Sequence, residues 1–438
     1  MRQFLFIFLS TLFIFSSCDS PRTLVVQAAV SDIDSALEIA GIKHNRMVSL
    51  VATHEGREDY VMYIEQPIDH KAPEKGSFLQ KVYLSHVDMD APVVMYLSGY
   101  NAPSNSYLTE PTQLLKANQL FIEHRFFGES LKEGSPEWES LNIAQSAADV
   151  HHIKEVMDDL YSGKWMSTGI SKGGQMVMYH KAYYPEDVSA SIAYVAPLNR
   201  AQEDSRIYEF LDAVGTEECR KKVKAVQIEL LMHYDRSLSM FKAKAAEKKL
   251  ISDLTIEQFF ELSIFEYEFA FWQWNGDCNG IPALDASLEE KVAHLFNIGA
   301  PGFFTTEVST DLFPFFYQAY SEMGMYGYRV NSFKDLTRFY QKDFSNYRTF
   351  IPEKFNLVFN ARTHEYVQER LTKVGRNMIF IQGSLDPWSS TGFIPSGSTN
   401  SVRFNVEGGT HKSRMKDLDL IQNKSAKDSL MKWMNTNQ

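Results

Sequence analysis

The stretch WMSTGISKGGQMVMYHKAYYP, residues 165–185, begins as an extended apolar run, passes through a glycine-flanked serine and continues as a helix. Its centre, 169–173, has the pattern G-x-S-x-G, with Ser171 on a tight turn between strand and helix. Such a turn brings backbone and helix so close that a Cβ at either flank would clash, which favours glycine there. The pattern therefore predicts a nucleophile elbow, with the Ser171 hydroxyl exposed at a helix N-terminus, in preference to an ordinary glycine-rich turn.

Strands and helices alternate along the chain around this turn. Dense apolar runs at 91–100, 118–128 and 188–197 indicate strands that are buried on both faces. Residues 142–161 have apolar positions at three- and four-residue spacing, which predicts a helix capped by Asn142. This alternation predicts a mostly parallel sheet covered by helices on both faces.

The pattern changes after residue 199, because the next part of the chain is helix-dominated and strand signals return only at 377–388 and 401–411. A helical block inserted into an alternating sheet indicates one catalytic domain that carries a cap. The expected boundaries are 46–199 for the first part of the core, 200–370 for the helical cap and 371–438 for the second part of the core.

A serine hydroxyl is a poor nucleophile unless a base accepts its proton and a carboxylate orients that base. After an elbow of this kind the chain order is serine, then acid, then histidine. Asp386 and His411 each follow a late strand, at the carboxyl ends where open α/β sheets place their chemistry. We therefore expect Ser171, Asp386 and His411 to be catalytic, and Glu407 and Asp417 are less well placed alternatives for the acid.

The oxyanion that forms during acyl transfer needs hydrogen-bond donors. One is expected to be the backbone N–H of Lys172, the residue after the nucleophile. The second is expected from the loop LSGYNAPS at 97–104, where Gly99 lets the backbone approach and Tyr100 or Asn101 presents an N–H.

The first 18 residues have the form of an export signal, in which Arg2 supplies the charge, Phe4–Phe15 is apolar and two serines precede Cys18. The apolar run is too short to span a bilayer comfortably. Small residues before a cysteine resemble a bacterial lipoprotein signal, in which Cys18 carries the lipid; a plain signal peptide with a chance cysteine is the alternative. Residues 19–45 would then form a tether or N-terminal arm.

Two further cysteines, Cys219 and Cys278, suggest one disulfide in an exported chain. A formal net charge of −11 gives no electrostatic footprint for nucleic acid. The sequence contains no CxxC, HExxH or GxxxxGK[ST] motif. We therefore expect no metal, no cofactor and no nucleic-acid partner.

Five motifs occur in order along the chain: EQPIDHKAPEKGSFLQKVYLSH, IEHRFFGES, STGISKGGQ, GSLDPWSS and VEGGTHKSR. Together they resemble the secreted bacterial prolyl tripeptidyl aminopeptidases and, more distantly, the lysosomal Pro-X carboxypeptidase and dipeptidyl peptidase group. The resemblance runs from about residue 60 to 415. It implies an α/β-hydrolase fold with a helical cap, and a serine exopeptidase whose triad positions are Ser171, Asp386 and His411. Its substrates would be peptides with proline near the N-terminus.

An aminopeptidase must recognise a free α-ammonium group, for which a buried carboxylate is the obvious partner. The candidates are Glu123, Glu266, Glu268 and Asp277, and pairing of Glu123 with Arg125 is an equally open interpretation.

Proline is rigid and apolar, so its pocket should have aromatic walls. Trp272, Trp274 and Trp388 are candidates, although packing of the cap against the core would also account for each.

Two other functions stay open at this point. An esterase or lipase would use the same elbow, and a cap with no carboxylate facing the cleft would favour it. A surface lipoprotein that binds peptides without cleaving them would carry a vestigial triad, and the intact order of serine, aspartate and histidine argues against it. We expect the partners to be peptide substrates and a bacterial membrane reached only through the lipid anchor, at a periplasmic or cell-surface location.

Overall fold

The computed structural model describes residues 32–47, 56–131 and 137–434. Its strands are β1 Lys43–Arg46, β2 Glu58–Pro67, β3 Ser77–His86, β4 Val93–Leu97, β5 Asn118–Ile122, β6 Trp165–Ile170, β7 Ala190–Tyr194, β8 Met378–Gly383 and β9 Val402–Val406. Within the described ranges they form one nine-stranded sheet in the order β1-β2-β3-β5-β4-β6-β7-β8-β9. The pairs from β1 to β5 along this order are antiparallel, and the pairs from β5 to β9 are parallel. This topology confirms the predicted α/β-hydrolase fold.

Helices cover both faces of the sheet. The α-helices are α1 Ile33–Ile39, α2 Glu110–Leu115, α3 Ile143–Asp158, α4 Lys172–Tyr183, α5 Ser205–Ala213, α6 Glu217–Met232, α7 Tyr234–Glu247, α8 Ile256–Trp274, α9 Leu288–Ile298, α10 Thr306–Asp311, α11 Phe313–Gln318, α12 Tyr347–Phe350, α13 Ala361–Val374 and α14 Leu420–Met434. Short 3₁₀ turns occur at Pro73–Lys75, Trp138–Ser140, Ala300–Phe304, Pro387–Thr391 and Met415–Asp417, and a π-helical turn at Ala319–Met323.

Strand β4 shows how the two cores arise from adjacent residues. Val93 and Met95 belong to the cluster that also contains apolar residues of α3 and α4. Val94, between them, belongs to the cluster on the other face, which contains apolar residues of α14. Successive side chains of a strand point to opposite faces, so a strand covered on both sides is apolar at every position.

The segment between β7 and β8 carries the cap. Within it the structure describes helices, turns and isolated bridges but no strand of the sheet. Its last helix, α13, packs on the elbow helix α4, where Tyr179 bonds the His364 ring at 3.1 Å and Arg370 Nε donates to Ala182 O at 3.1 Å. Residues 361–370, assigned to the cap by their helical pattern, therefore pack on the core.

The N-terminal part of the chain differs from the expected arm where it is described. Helix α1 and the edge strand β1 occupy residues 33–46. All of these residues but Arg46 belong to the segment 19–45 that was predicted to be a tether. Ile33 and Leu37 are buried against the sheet, because β1 extends its antiparallel edge and α1 covers it. The predicted export signal and Cys18 lie outside the described residues. In the part that the structure describes, no helix has the length and apolar character to cross a bilayer.

Cys219 of α6 and Cys278, which follows α8, are paired in a disulfide with their Cα atoms 5.4 Å apart. The bond ties the C-terminal end of α8 to the start of α6. The cysteine count suggested this pair, and the packing of the two cap helices brings the thiols together.

Candidate active site

The turn between β6 and α4 holds Ser171 in a strained conformation, with φ at +56° and ψ at −122°. Residues with a Cβ rarely adopt a positive φ, and such strain is concentrated at functional sites. A Cβ added to Gly169 would lie 2.2 Å from Gly173 O, and one added to Gly173 would lie 2.3 Å from Leu97 O. Glycine is therefore required on both sides of the serine, which is the geometry predicted for a nucleophile elbow.

Asp386 and His411 meet on the loops that follow β8 and β9. Asp386 caps the 3₁₀ turn after β8 and is fully buried, and its Oδ2 accepts a 2.7 Å hydrogen bond from His411 Nδ1. The backbone N–H of His411 donates to Gln273 O of the cap helix α8 at 2.9 Å. The ring of Trp274 meets the imidazole edge-on, with centroids 5.3 Å apart. The cap thus supports the loop that carries the histidine.

One cavity of about 640 Å³ is lined by both Ser171 and His411. The alternative acids do not approach the histidine in this way: Glu407 is exposed, and the exposed Asp417 accepts from the Arg414 backbone N–H. Asp386 is therefore the carboxylate that the fold pairs with His411.

The expected oxyanion donors also line this cavity. Lys172 is the first residue of α4, so its backbone N–H has no intrahelical partner. The Tyr100 N–H, in contrast, donates to Ser98 Oγ at 3.0 Å, and this hydroxyl donates to Asn101 O at 3.0 Å. The Lys172 N–H is thus available to an oxyanion. The Tyr100 N–H would have to exchange Ser98 Oγ for the oxyanion.

Glu266, on α8, lies in the wall of the same cavity and is 4% exposed. Its carboxylate accepts hydrogen bonds from the hydroxyl of Tyr326, at 2.9 and 3.0 Å, and from that of Tyr328. Burial raises the pKa of Glu266 to about 8, although the two tyrosine hydrogen bonds act in the opposite direction. The cavity wall therefore contains a carboxyl group without a cationic partner among the described residues.

The fold assigns Glu123 to the core. Its carboxylate accepts from the backbone N–H groups of Ala102, Glu129 and Ser130, and it lies 3.2 Å from Lys81 Nζ. This carboxylate holds the loop after β4 against the end of β5 and does not line the catalytic cavity.

The suggested pairing of Glu123 with Arg125 is wrong, because the guanidinium of Arg125 binds Asp149 through two contacts of 2.6 Å. The fold thus pairs Glu123 with Lys81 and Asp149 with Arg125.

Two other carboxylates of the cap point elsewhere. Asp277 is exposed and accepts from the Asn279 N–H at 3.0 Å. Glu268 lines a separate cavity in the cap, near Lys224 and Arg329. Since residues two apart on a helix lie on different faces, Glu266 and Glu268 cannot face the same cavity.

The tryptophans divide in a similar way. Trp388 lines the catalytic cavity and packs against the rings of Phe269 and Tyr326, at centroid distances of 5.3 and 5.4 Å. Trp274 lines it next to the histidine. Trp272 is buried inside the cap, where it fills the space beside Gly215, so the prediction that it contacts substrate is wrong.

Sequence reasoning missed Tyr326 and Tyr328, the hydrogen-bond donors to Glu266. They lie 60 and 62 residues further along the chain than the glutamate. Their alternation in MYGYRV is typical of many short extended segments, so no local signal connects them with the site.

A strained serine that shares a cavity with the histidine of a buried aspartate–histidine pair, all at the carboxyl ends of parallel strands and under a helical cap, defines a serine hydrolase of the α/β-hydrolase fold. The model of the PS-10 peptidase S37 family matches residues 28–437. The chain belongs to this family and is a serine peptidase.

Several named proteins are similar to the chain. A prolyl tri/tetrapeptidyl aminopeptidase of Streptomyces mobaraensis is 30% identical over 93% of this chain and 86% of its own length. A lysosomal Pro-X carboxypeptidase of Mus musculus is 22% identical over 40% of each chain. Among solved structures, a proline iminopeptidase of Mycobacterium smegmatis aligns over 85% of this chain and 99% of its own, with 10% identity and a TM-score of 0.39.

Replacing Asp386 by asparagine should lower kcat by about 10⁴-fold, because an amide no longer holds the His411 tautomer that accepts the serine proton. The rate of hydrolysis of an activated ester such as p-nitrophenyl acetate would measure this. Glu407→Gln, at the exposed alternative acid, is the matched control and should retain wild-type activity. Equal losses in the two variants would contradict the pairing of Asp386 with His411.

Replacing Glu266 by glutamine should stabilise the substrate-free protein relative to the wild type, by an amount that increases with pH. The carboxyl group has a pKa of about 8 when folded, against an ordinary value of 4.5. Folding therefore takes up a proton between these two pH values, and stability falls there as pH increases. Because glutamine does not titrate, the Tm of Glu266→Gln should exceed that of the wild type by a margin that grows from pH 5 to pH 8, to at least about 2 °C. A margin independent of pH would show that the carboxyl does not titrate in this way.

Proposed function

We propose that the protein is a serine exopeptidase that releases short peptides, of three residues, from the N-terminus of substrates after proline. The observation that carries the proposal is Glu266, which is the sole acidic side chain among the described residues lining the catalytic cavity. The 30% identity with the prolyl tri/tetrapeptidyl aminopeptidase of Streptomyces mobaraensis supports the same specificity.

The buried carboxyl group suits a free α-ammonium group. Burying an ionised carboxylate is unfavourable, which is why the pKa of Glu266 rises to about 8. A substrate ammonium supplies the missing positive charge, so Glu266 ionises as the peptide binds and forms a charge-assisted hydrogen bond. The hydroxyls of Tyr326 and Tyr328 remain as donors to its other lone pairs. A peptide with a blocked N-terminus offers no such charge.

The ring of Trp388 provides the apolar surface for proline. Trp388 follows Asp386 by two residues in the chain, and its ring packs against the ring of Tyr326. The hydroxyl of Tyr326 in turn donates to Glu266. An aromatic wall suits proline, whose side chain is a rigid apolar ring and whose backbone nitrogen carries no hydrogen that needs an acceptor. Ser171, Trp388 and Glu266 all line one cavity. A substrate whose prolyl carbonyl is at Ser171 can therefore place its proline ring on Trp388 and its N-terminus near Glu266.

In the proposed reaction, Ser171 Oγ attacks the prolyl carbonyl carbon while His411 Nε2 accepts the hydroxyl proton. Asp386 accepts a hydrogen bond from the Nδ1–H and stabilises the imidazolium. Collapse of the tetrahedral intermediate breaks the peptide bond, and His411 donates its proton to the leaving amine. Water then attacks the acyl-enzyme through the same histidine and releases the N-terminal peptide.

The esterase alternative is less well supported. Its distinguishing feature is a cap without a carboxylate facing the cleft, whereas Glu266 of the cap lies in the cavity wall. Peptides, which carry an α-ammonium, account for this residue, and simple esters do not.

Ala-Ala-Pro linked to a chromogenic amine tests the function directly. The free peptide should be hydrolysed. N-acetylation should lower kcat/KM by about tenfold to a hundredfold, because the hydrogen bond between the α-ammonium and Glu266 is lost. Glu266→Gln should lower kcat/KM for the free peptide by a similar factor and abolish the preference for it. Glu268→Gln, on the same helix but facing the other cavity, should do neither.

Ser171→Ala should lose activity by at least about a thousandfold, which assigns any turnover to this site. Equal hydrolysis of free and acetylated peptides by the wild type would remove the aminopeptidase proposal and leave a serine peptidase of other specificity.

We infer further that the protein is exported and held on a bacterial membrane, in the periplasm or at the cell surface, by lipid on Cys18. The inference is supported by the charged, apolar and small-residue regions before this cysteine. The disulfide between Cys219 and Cys278 is consistent with an oxidising compartment.

Cys18→Ser should transfer the protein from the membrane pellet to the soluble fraction without changing kcat, since the residue precedes the catalytic domain. Immunoblots of the two fractions, with activity assays on each, would measure this. A wild-type protein that is already in the soluble fraction would point to the alternative of a plain signal peptide.

A further inference from the structure

The expected oxyanion hole uses only the backbone N–H of Lys172, so the side chain of this residue has no role in it. It is 1% exposed and lines the catalytic cavity. Among the described residues no carboxylate lies within 4 Å of its Nζ, which instead lies 4.7 Å from the ring centre of Phe127 and 5.4 Å from that of Tyr100. Burial holds the pKa of this lysine well below its ordinary value. Burying an amine is unfavourable, so its contacts should reveal what it does.

The one hydrogen bond described for this amine goes to the oxyanion loop. Lys172 Nζ donates to Gly99 O at 2.6 Å. The loop lies directly on the lysine, because a Cβ added at Gly99 would be 2.5 Å from Lys172 Cβ and 2.7 Å from Gly173 N. Glycine at 99 thus permits the close approach that the bond requires.

The carbonyl of Gly99 and the N–H of Tyr100 belong to one peptide unit. This unit is planar and trans, so its C=O and N–H point in opposite directions. A bond that holds the carbonyl oxygen therefore also sets the direction of the N–H. The next carbonyl is held as well, because Tyr100 O accepts from the His124 N–H at 3.0 Å. The peptide that carries the expected second oxyanion donor is thus anchored on both sides.

We propose that the Lys172 side chain is a positioning residue for the oxyanion hole: by holding Gly99 O, it directs the Tyr100 N–H so that this donor exchanges Ser98 Oγ for the oxyanion as the tetrahedral intermediate forms. A hydrogen bond to the carbonyl also polarises the peptide, which strengthens the N–H as a donor. The inference rests on the proposed serine mechanism but not on specificity for proline.

The test compares Lys172→Met with Lys181→Met. Lys181 is a second buried lysine of α4, and its Nζ donates to Pro185 O at 2.6 Å and Val188 O at 2.9 Å, away from the catalytic cavity. Both substitutions remove a buried amine from a backbone carbonyl, so both should lower Tm. Only Lys172→Met should lower kcat, by about tenfold to a hundredfold with little change in KM, since losing an oxyanion donor outright costs about 10²–10³.

Inhibitor binding separates positioning from packing. The boronic acid analogue of Ala-Ala-Pro forms a tetrahedral adduct with the serine, whereas the product peptide Ala-Ala-Pro does not. Lys172→Met should weaken the boronate by the same factor as kcat and leave the Ki of the product within about twofold. Lys181→Met should change neither constant.

An unchanged kcat, or equal weakening of boronate and product, would overturn the proposal and assign Lys172 to packing. If the methionine variant does not fold, Lys172→Leu, which also removes the donor to Gly99 O, carries the same comparison. If the wild type does not cleave the prolyl substrate, the proposed function fails on its own. Acylation by p-nitrophenyl acetate and binding of a simple alkyl boronate then test the positioning role independently.

Discussion

The catalytic centre depends on backbone contacts around Ser171 that leave no space for a Cβ on either side. Gly169 meets the first turn of α4, and Gly173 meets the end of β4. These contacts hold a non-glycine residue at a positive φ, a conformation that costs about 1–3 kcal/mol and persists only where the surroundings impose it. The nucleophile, the start of α4 and the oxyanion loop are therefore positioned by one packing arrangement.

Helix α8 of the cap contacts the loop that carries His411 and also lines the catalytic cavity. Gln273 of this helix accepts from the backbone of His411, and Trp274 packs against the imidazole. Two turns earlier, Glu266 faces the cavity, and the disulfide at Cys278 fastens the end of the helix to α6. A movement of α8 would therefore displace the support of His411 and the wall of the cavity together.

Several buried charged groups in this protein differ in whether an opposite charge lies beside them. Arg125 with Asp149 and Lys81 with Glu123 are paired within the core, where each offsets the cost of burying the other. Glu266 and Lys172 have no opposite charge beside them among the described residues, and both line the catalytic cavity. Burial shifts the pKa values of both groups. Buried groups with shifted pKa values are concentrated at functional sites.

Local patterns in the sequence determined the alternating sheet, the turn at Ser171 and the order of Ser171, Asp386 and His411, because apolar periodicity and glycine spacing act over a few residues. The tertiary structure alone decided which carboxylate faces the cavity and which bases pair with the buried acids. It also placed Tyr326 against Glu266, 60 residues apart, and folded 33–46 onto the sheet. Burial and choice of partner depend on which distant segments pack together, and no local pattern carries that information.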